Sequence, residues 1–211
     1  MKPPIKPKRI TVEEYLRLEE TSEIRSEFVK GILFPITGTT RRHNTIVGNI
    51  YSLIRPHLKN RPCRVYAEGV KVRIEEENCF YYPDVMITCD GADDDSDVTD
   101  APVFIAEVHS KSTYKTDRRE KLCNYQLLES LQELLLVHQR RQQVDVYQKD
   151  FEGGWTVSSF GSGESFVLQS MPTGVLKISV ADIYEDTDAK PVTAVREAEN
   201  EYQTFEEDWD Y

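Results

Sequence analysis

Two short apolar runs, each carrying a single acid, constrain this chain more than any other feature. Tyr82–Cys89 places Asp84 ahead of Val85-Met86-Ile87, and Val103–His109 places Glu107 behind Val103-Phe104-Ile105-Ala106. Apolar, β-branched runs of this length predict neighbouring strands inside a sheet. A carboxylate embedded in such a strand is costly to bury unless something cationic compensates it. Two that converge would also repel, unless a lysine or a divalent cation stands between them. A hard oxygen site for Mg2+ or Mn2+ answers both difficulties, since Mg2+ is commonly held by one or two carboxylates, with water and phosphate completing its shell. The residues alone also allow a plainer account, in which Asp84 caps a turn after Pro83 and Glu107 pairs with a nearby arginine.

Around these runs the pattern predicts a mixed α/β domain. Thr11 is placed to cap a short helix, with Glu14 three residues on. Glu27–Ile36 reads as a hairpin turning at Lys30-Gly31. Ile46, Ile50, Leu53 and Ile54 recur at helical spacing within residues 40–58, and Pro56 breaks that helix near its end. Arg64–Tyr66 and Val70–Ile74 are short alternating strands, and residues 114–130 predict a second helix. Leu134–Val137, Val144–Tyr147, Trp155–Ser158 and Phe166–Leu168 predict further strands, punctuated by Gly153-Gly154 and Gly161-Ser162-Gly163. The division expected is a flexible basic arm over residues 1–10, one domain over 11–185, and an acidic, disordered tail over 186–211.

The 211 residues carry 26 Lys and Arg against 37 Asp and Glu, a net charge of −11. Much of the excess is local: residues 185–211 hold ten acids and two bases, and Asp90–Asp100 holds six acids and no base. The remainder is close to neutral, which leaves room for a basic patch without requiring one. No run of about 18 apolar residues is present, so a membrane-spanning helix is excluded. The basic stretch Met1–Arg9 is not followed by the apolar segment of a secretory signal. Cys63, Cys79, Cys89 and Cys123 show no Cys-x-x-Cys spacing and read as reduced thiols of a cytoplasmic protein. Asp93-x-Asp95-x-Asp97 starts like a calcium loop, but Val98 stands where its glycine is needed and Phe104 where its closing acid is needed. There is neither a Gly-x-x-x-x-Gly-Lys phosphate loop nor a Gly-x-Ser-x-Gly elbow.

Five stretches, taken in order, resemble one family. They are Glu27-Phe28-Val29-Lys30-Gly31-Ile32-Leu33, Arg42-His43-Asn44, Tyr82-Pro83-Asp84-Val85, Ile105–Thr113 and Asp117–Tyr125. Their order and spacing are similar to those of the Uma family of restriction-endonuclease-like proteins, long known as a domain of unknown function, within the PD-(D/E)XK nuclease superfamily. The resemblance covers about residues 11–184 and leaves out the acidic tail. It implies a restriction-endonuclease-like α/β (α+β) core: a helix, a curved mixed β-sheet whose middle strands carry the acids, a second helix, and extra antiparallel strands. It implies that Asp84 and Glu107 are catalytic metal ligands, with the carbonyl of Val108 or a neighbour as a third, and that Mg2+ or Mn2+ is the cofactor. The superfamily lysine normally stands two residues after the second acid, where this chain has His109. In the Uma subgroup the lysine moves to the following helix, and Lys121 matches that position. Without the resemblance, Lys121 reads as an exposed helix lysine paired with Asp117. Lys111 is a rival, standing where the family has the proline of a Ser-Pro-Ser-Thr stretch.

The resemblance also implies that Glu27 and His43 lie near the site. Glu27 would complete the outer shell of the metal; His43 would accept a proton, hydrogen-bond a phosphate or ligate a second metal. From the residues alone, His43 equally reads as a structural helix histidine and Glu27 as an exposed strand acid. Tyr125, one turn beyond Lys121, is expected in the core with its hydroxyl near the site. The function implied is metal-dependent endonucleolytic hydrolysis of phosphodiester bonds, with DNA as the partner and a homodimer as the working form. The competing reading is a catalytically silent binding or assembly module on the same fold. The acidic composition favours it, because affinity for nucleic acid draws largely on lysine and arginine.

Overall fold

The computed structural model describes residues 9–36, 38–91, 96–109, 121–171 and 174–192. In chain order these form helix α1 (Val12–Glu19), strands β1 (Ser26–Val29) and β2 (Ile32–Pro35), and helix α2 (Arg41–Ile54), which runs into a 3-10 turn over Arg55–Leu58. Strands β3 (Arg64–Ala67), β4 (Lys71–Ile74), β5 (Cys79–Tyr81), β6 (Val85–Thr88), β7 (Val98–Thr99) and β8 (Pro102–His109) lead to the short helix α3 (Leu122–Tyr125). Strands β9 (Glu133–His138), β10 (Arg141–Gln142), β11 (Val144–Lys149), β12 (Trp155–Phe160), β13 (Ser165–Leu168) and β14 (Leu176–Ser179) precede helix α4 (Val180–Ile183) and β15 (Lys190–Pro191).

Local chemistry accounts for the element ends that matter. Thr11 and Glu14 close a reciprocal capping box at the start of α1. Lys30 at φ 50° and Gly31 at φ 92° make the two-residue turn between β1 and β2, a conformation that glycine adopts without a Cβ penalty. The Thr40 side chain caps α2 by accepting the His43 amide. This cap sets His43 in the first turn, at the end of the helix nearest the acids.

The larger sheet has the order β12-β11-β9-β8-β6-β3. It is mixed: β8 runs parallel to β9, and the other neighbours are antiparallel. Both faces of its central strands β6, β8 and β9 are buried. Val85, Ile87, Phe104 and Ala106 pack on one side with Ile46, Ile50 and Ile54 of α2. Met86, Ile105, Leu134 and Leu136 pack on the other with Val72, Tyr81 and Tyr125. Two-sided burial is why these runs are continuously apolar rather than alternating. The three isoleucines of α2 are fully buried; at about 1.5–3 kcal/mol per side chain, that face holds the helix to the sheet more firmly than propensity does. A second sheet, β2-β1-β5-β4-β7, contributes β4 and β5 to the opposite face. Helix α1 is fastened to it by the cluster of Tyr15, Phe28 and Phe80.

The structure departs from the sequence reading in several places. Cys63 and Cys89, expected as reduced thiols, form a disulfide. They flank the Arg64↔Thr88 pair of β3 and β6, a proximity that a separation of 26 residues conceals. The helix expected through residue 130 ends at Tyr125. The amides of Leu127, Leu128 and Leu131 instead close i→i−3 turns, and Leu128 and Leu131 become buried. Residues 186–192, the start of the stretch read as an acidic tail, pack on the body: Asp188 receives two hydrogen bonds from the Arg42 guanidinium, and β15 pairs with β10. Most of the basic arm, the rest of the tail, Lys111 and Asp117 lie outside the described residues. Among the described residues, no helix is long and apolar enough to cross a membrane.

Candidate active site

Sheet register aligns three acids. β6 pairs with β8 as Val85↔Ala106, and one step along that register puts Asp84 opposite Glu107. β3 pairs with β6 as Ala67↔Val85, and one step on puts Glu68 opposite Asp84; there the Glu68 amide donates to the Asp84 carbonyl at 3.2 Å. Glu68, Asp84 and Glu107 therefore stand in one row across adjacent strand ends. Like charges facing each other across strands destabilise a sheet unless they are compensated.

Around Glu107 the compensation is buried. Its Oε1 accepts the Tyr125 hydroxyl at 2.7 Å and lies 3.5 Å from the Lys121 ammonium. The same ammonium is 2.8 Å from Glu27 Oε1, which also accepts the Tyr82 amide at 3.3 Å. Lys121 occupies the position just before α3, with its Nζ 5.5 Å above the Tyr81 ring. Burial, with the Glu107 charge beside it, pushes the Tyr125 phenol well above its ordinary pKa, so the hydroxyl remains a donor.

Around Asp84 the arrangement is more open. His43 Nε2 lies 3.2 Å from Asp84 Oδ2, and its Nδ1 lies 3.9 Å from Glu68 Oε1. Asp84 Oδ2 also accepts the Val108 amide at 2.6 Å. Burial works against the imidazolium, yet the hydrogen bond to Asp84 and the charges of Asp84 and Glu68 outweigh it, and the His43 pKa is raised. Among the described residues, His43, Glu68 and Asp84 are the one group of three His, Cys, Asp or Glu side chains whose candidate ligand atoms all lie within 4.8 Å of one another.

Of the residues singled out in the sequence, Glu27, His43, Asp84, Glu107, Lys121 and Tyr125 converge here. Lys121 is buried between two carboxylates rather than exposed on a helix face. His109 packs its ring 4.6 Å from that of His138, its register partner on β9. Glu68 was not anticipated. Its one trace in the sequence is the Glu68-Gly69 turn directly after the β3 run, with Glu68 at φ 43° and Gly69 at φ 146°. Arg25 fixes that turn by donating to the Glu68 carbonyl at 3.4 Å, and a Cβ on Gly69 would come within 3.2 Å of the same guanidinium. Depth alone does not mark a site. Glu133 is as buried as Glu107, but its carboxylate accepts the Gln169 and Ser170 amides, the Ser170 hydroxyl and the Gln148 amide, and so ties that segment to β9.

Residues 12–181 match the Uma2 family, described as "Putative restriction endonuclease". The chain belongs to this family. Similar proteins include the uncharacterized protein sll1609 of Synechocystis sp. (strain ATCC 27184 / PCC 6803 / Kazusa), 31% identical over 154 residues, covering 72% of this chain and 87% of that one. The uncharacterized protein slr1290 of the same organism is 29% identical over 164 residues, covering 77% of this chain and 86% of its own. The crystal structure of "a putative nuclease belonging to DUF820" from Anabaena variabilis ATCC 29413 superposes with a TM-score of 0.67 at 19% identity, covering 83% of this chain and 97% of that one. At that identity the likeness concerns the fold, and this Uma2 chain has the restriction-endonuclease-like core that its motifs imply.

Proposed function

We propose that this Uma2 protein is a metal-dependent endonuclease hydrolysing phosphodiester bonds in DNA, with Asp84 and Glu107 holding Mg2+ or Mn2+ and Lys121 as the catalytic cation. The observation that carries this reading is the alignment of Asp84 with Glu107 beside a buried ammonium. The donor set fits such an ion: two hard carboxylates on neighbouring strands, with the Val108 carbonyl within the same stretch of β8. A divalent cation bound there supplies Lewis-acid polarisation of the phosphodiester and a water of lowered pKa. The chain's own residues pre-set the geometry. Tyr125 fixes the Glu107 carboxylate, and the Val108 amide fixes that of Asp84. Lys121, held by Glu27 and Glu107, would keep positive charge beside the phosphoryl oxygens, which gather negative charge during attack. A homodimer belongs to this reading, since two copies cut both strands of a duplex. β12, one of the two outer strands of the larger sheet, carries an exposed Val157 and has β11 as its one strand partner among the described residues, which suits it to pairing.

The net charge of −11 favours a second reading, a catalytically silent binding module on the same fold. Calorimetric titration of Mg2+ and Mn2+ into wild type and Glu107→Gln, beside a plasmid-nicking assay, separates the two. Binding and nicking that are present in wild type and vanish in the variant support the endonuclease. A folded wild type that neither binds metal nor nicks DNA leaves the binding module.

A further inference from the structure

We propose that the start of α2 and the turn between β9 and β10 form the surface that takes the phosphodiester backbone of duplex DNA, and that Asp188 occupies its central cation, Arg42, in the free protein. The proposal deepens the endonuclease reading and rests on it. Placement, geometry and fastening support it.

In a chain with a net charge of −11, five cations stand on three adjoining elements. Arg41 and Arg42 open α2, Arg140 and Arg141 come after β9, and Lys190 begins β15. These pieces are stitched together. The Gln139 side chain donates to the Thr40 hydroxyl that caps α2, Arg141 is the register partner of Lys190, and the Lys190 amide donates to the Arg140 carbonyl at 2.9 Å. The surface also adjoins the acid row. His43, next to Arg42, lies 3.2 Å from Asp84, and the Gln139 amide donates at 3.1 Å to the carbonyl of His109, two residues beyond Glu107. Arg41 shares a helix face with Asn44, and Asn44 lines a cleft of about 440 Å3 between α2 and β3 that ends at Glu68. A backbone lying on these cations is therefore brought to the row.

Asp188 shows how an anion is received there. The Arg42 guanidinium donates through Nε and Nη2 to its two carboxylate oxygens, at 2.5 and 2.7 Å. Arginine grips a phosphate group by the same paired geometry. The bonds from Arg42, and the more distant charge of Arg140, hold the Asp188 carboxyl below its ordinary pKa, so both cations attend one anion.

The segment that carries Asp188 is fastened without this pair. Ala189 is buried, the Tyr184 hydroxyl donates to the His138 carbonyl, the Asn49 side chain donates to the carbonyls of Ile183 and Glu185, and β15 pairs with β10. The Asp188 side chain itself keeps 77% of its exposure, and an ion pair so open adds little to folding. A phosphate group can therefore displace the carboxylate, and until one does, Arg42 is withheld from other anions.

The test is fluorescence anisotropy of a fluorescein-labelled duplex of about 20 base pairs with the full-length protein, in EDTA and across a salt series. Wild type is compared with Asp188→Asn, Arg42→Gln and the double variant, with circular dichroism to show that each is folded. Plasmid nicking by wild type in Mg2+ is measured alongside. We expect Asp188→Asn to bind the duplex at least about threefold more tightly and to steepen the salt dependence by about one phosphate contact. Adding Arg42→Gln to Asp188→Asn should remove the whole gain. Asp188→Asn that binds no tighter than wild type overturns the proposal. So does a gain that survives Arg42→Gln, since it would follow from net charge alone. Either result leaves the endonuclease reading standing where wild type nicks plasmid. Duplex binding by none of the four proteins, together with no nicking by wild type, overturns both.

Discussion

The two ends of the acid row compensate their charges in different ways. The side chains of Glu107 and Lys121 retain 5% and 9% of their exposure, and their partners Tyr125 and Glu27 close around them. The side chains of Asp84 and Glu68 retain 16% and 41%, and they share a histidine whose positive charge depends on pH. A buried charge must be matched by a fixed partner, because water cannot relieve it. A half-open charge can be matched by whatever arrives, whether a proton, an ion or solvent. The Glu107 end is thus part of what folding has to complete, and the Asp84 end is where the protein can respond to a ligand.

The sharpest way to break this contrast is to remove the fixed cation. Lys121→Met keeps most of the side-chain volume but leaves Glu27 and Glu107 facing each other without their shared ammonium. Breaking one side of a buried ion pair costs about 3–5 kcal/mol, so the urea midpoint should fall by a corresponding amount at an unchanged slope. A loss below about 1 kcal/mol would mean that the two acids do not depend on Lys121, and the Glu107 end would be no more rigid than its neighbour.

His43→Ala probes the other end. It removes a hydrogen bond to a carboxylate that keeps the Val108 amide and part of its hydration. The expected cost in the presence of a chelator is about 1 kcal/mol, well short of the Lys121 effect. Equal losses in the two variants, measured by the same urea titration, would erase the distinction.

The same contrast explains what could be read in the sequence. Asp84 and Glu107 stand out because each interrupts an apolar run that has to be buried on both faces of a sheet. The strand positions followed from those runs, and the β1–β2 turn followed from Lys30-Gly31. Lys121 could be placed only through the family resemblance, because its partners Glu27 and Glu107 come from other elements and its local pattern suits a solvent-facing helix. Glu68 was hidden for a related reason. An acid before a glycine looks like ordinary turn chemistry, and only the β3–β6 register brings it beside Asp84. The Cys63–Cys89 link depends on that same register. Beyond Tyr125, residues of good helix propensity turn tightly instead, because that path buries Leu128 and Leu131. Local chemistry is visible in a sequence, whereas facts created by strand pairing are not.

Gly48 extends the comparison to the cleft that leads to the open end. It lies in the middle of α2, where a Cβ would meet nothing within 4 Å, and it lines the cleft beside Tyr51 and Glu68. Neither packing nor backbone conformation calls for glycine there, and within a helix it is less favourable than alanine by about 0.5–1 kcal/mol. Gly48→Ala should therefore stabilise the protein by about that amount, the smallest of these effects, read as a rise in the urea midpoint. Plasmid nicking by the same variant then decides why the glycine is there. A gain in stability with nicking retained means that the residue serves neither fold nor cleft. A gain in stability with nicking lost means that the width of the cleft governs access to Asp84. The open end of the row would then be the side from which substrate enters, and its looser charge matching would follow from the need to exchange water for a ligand.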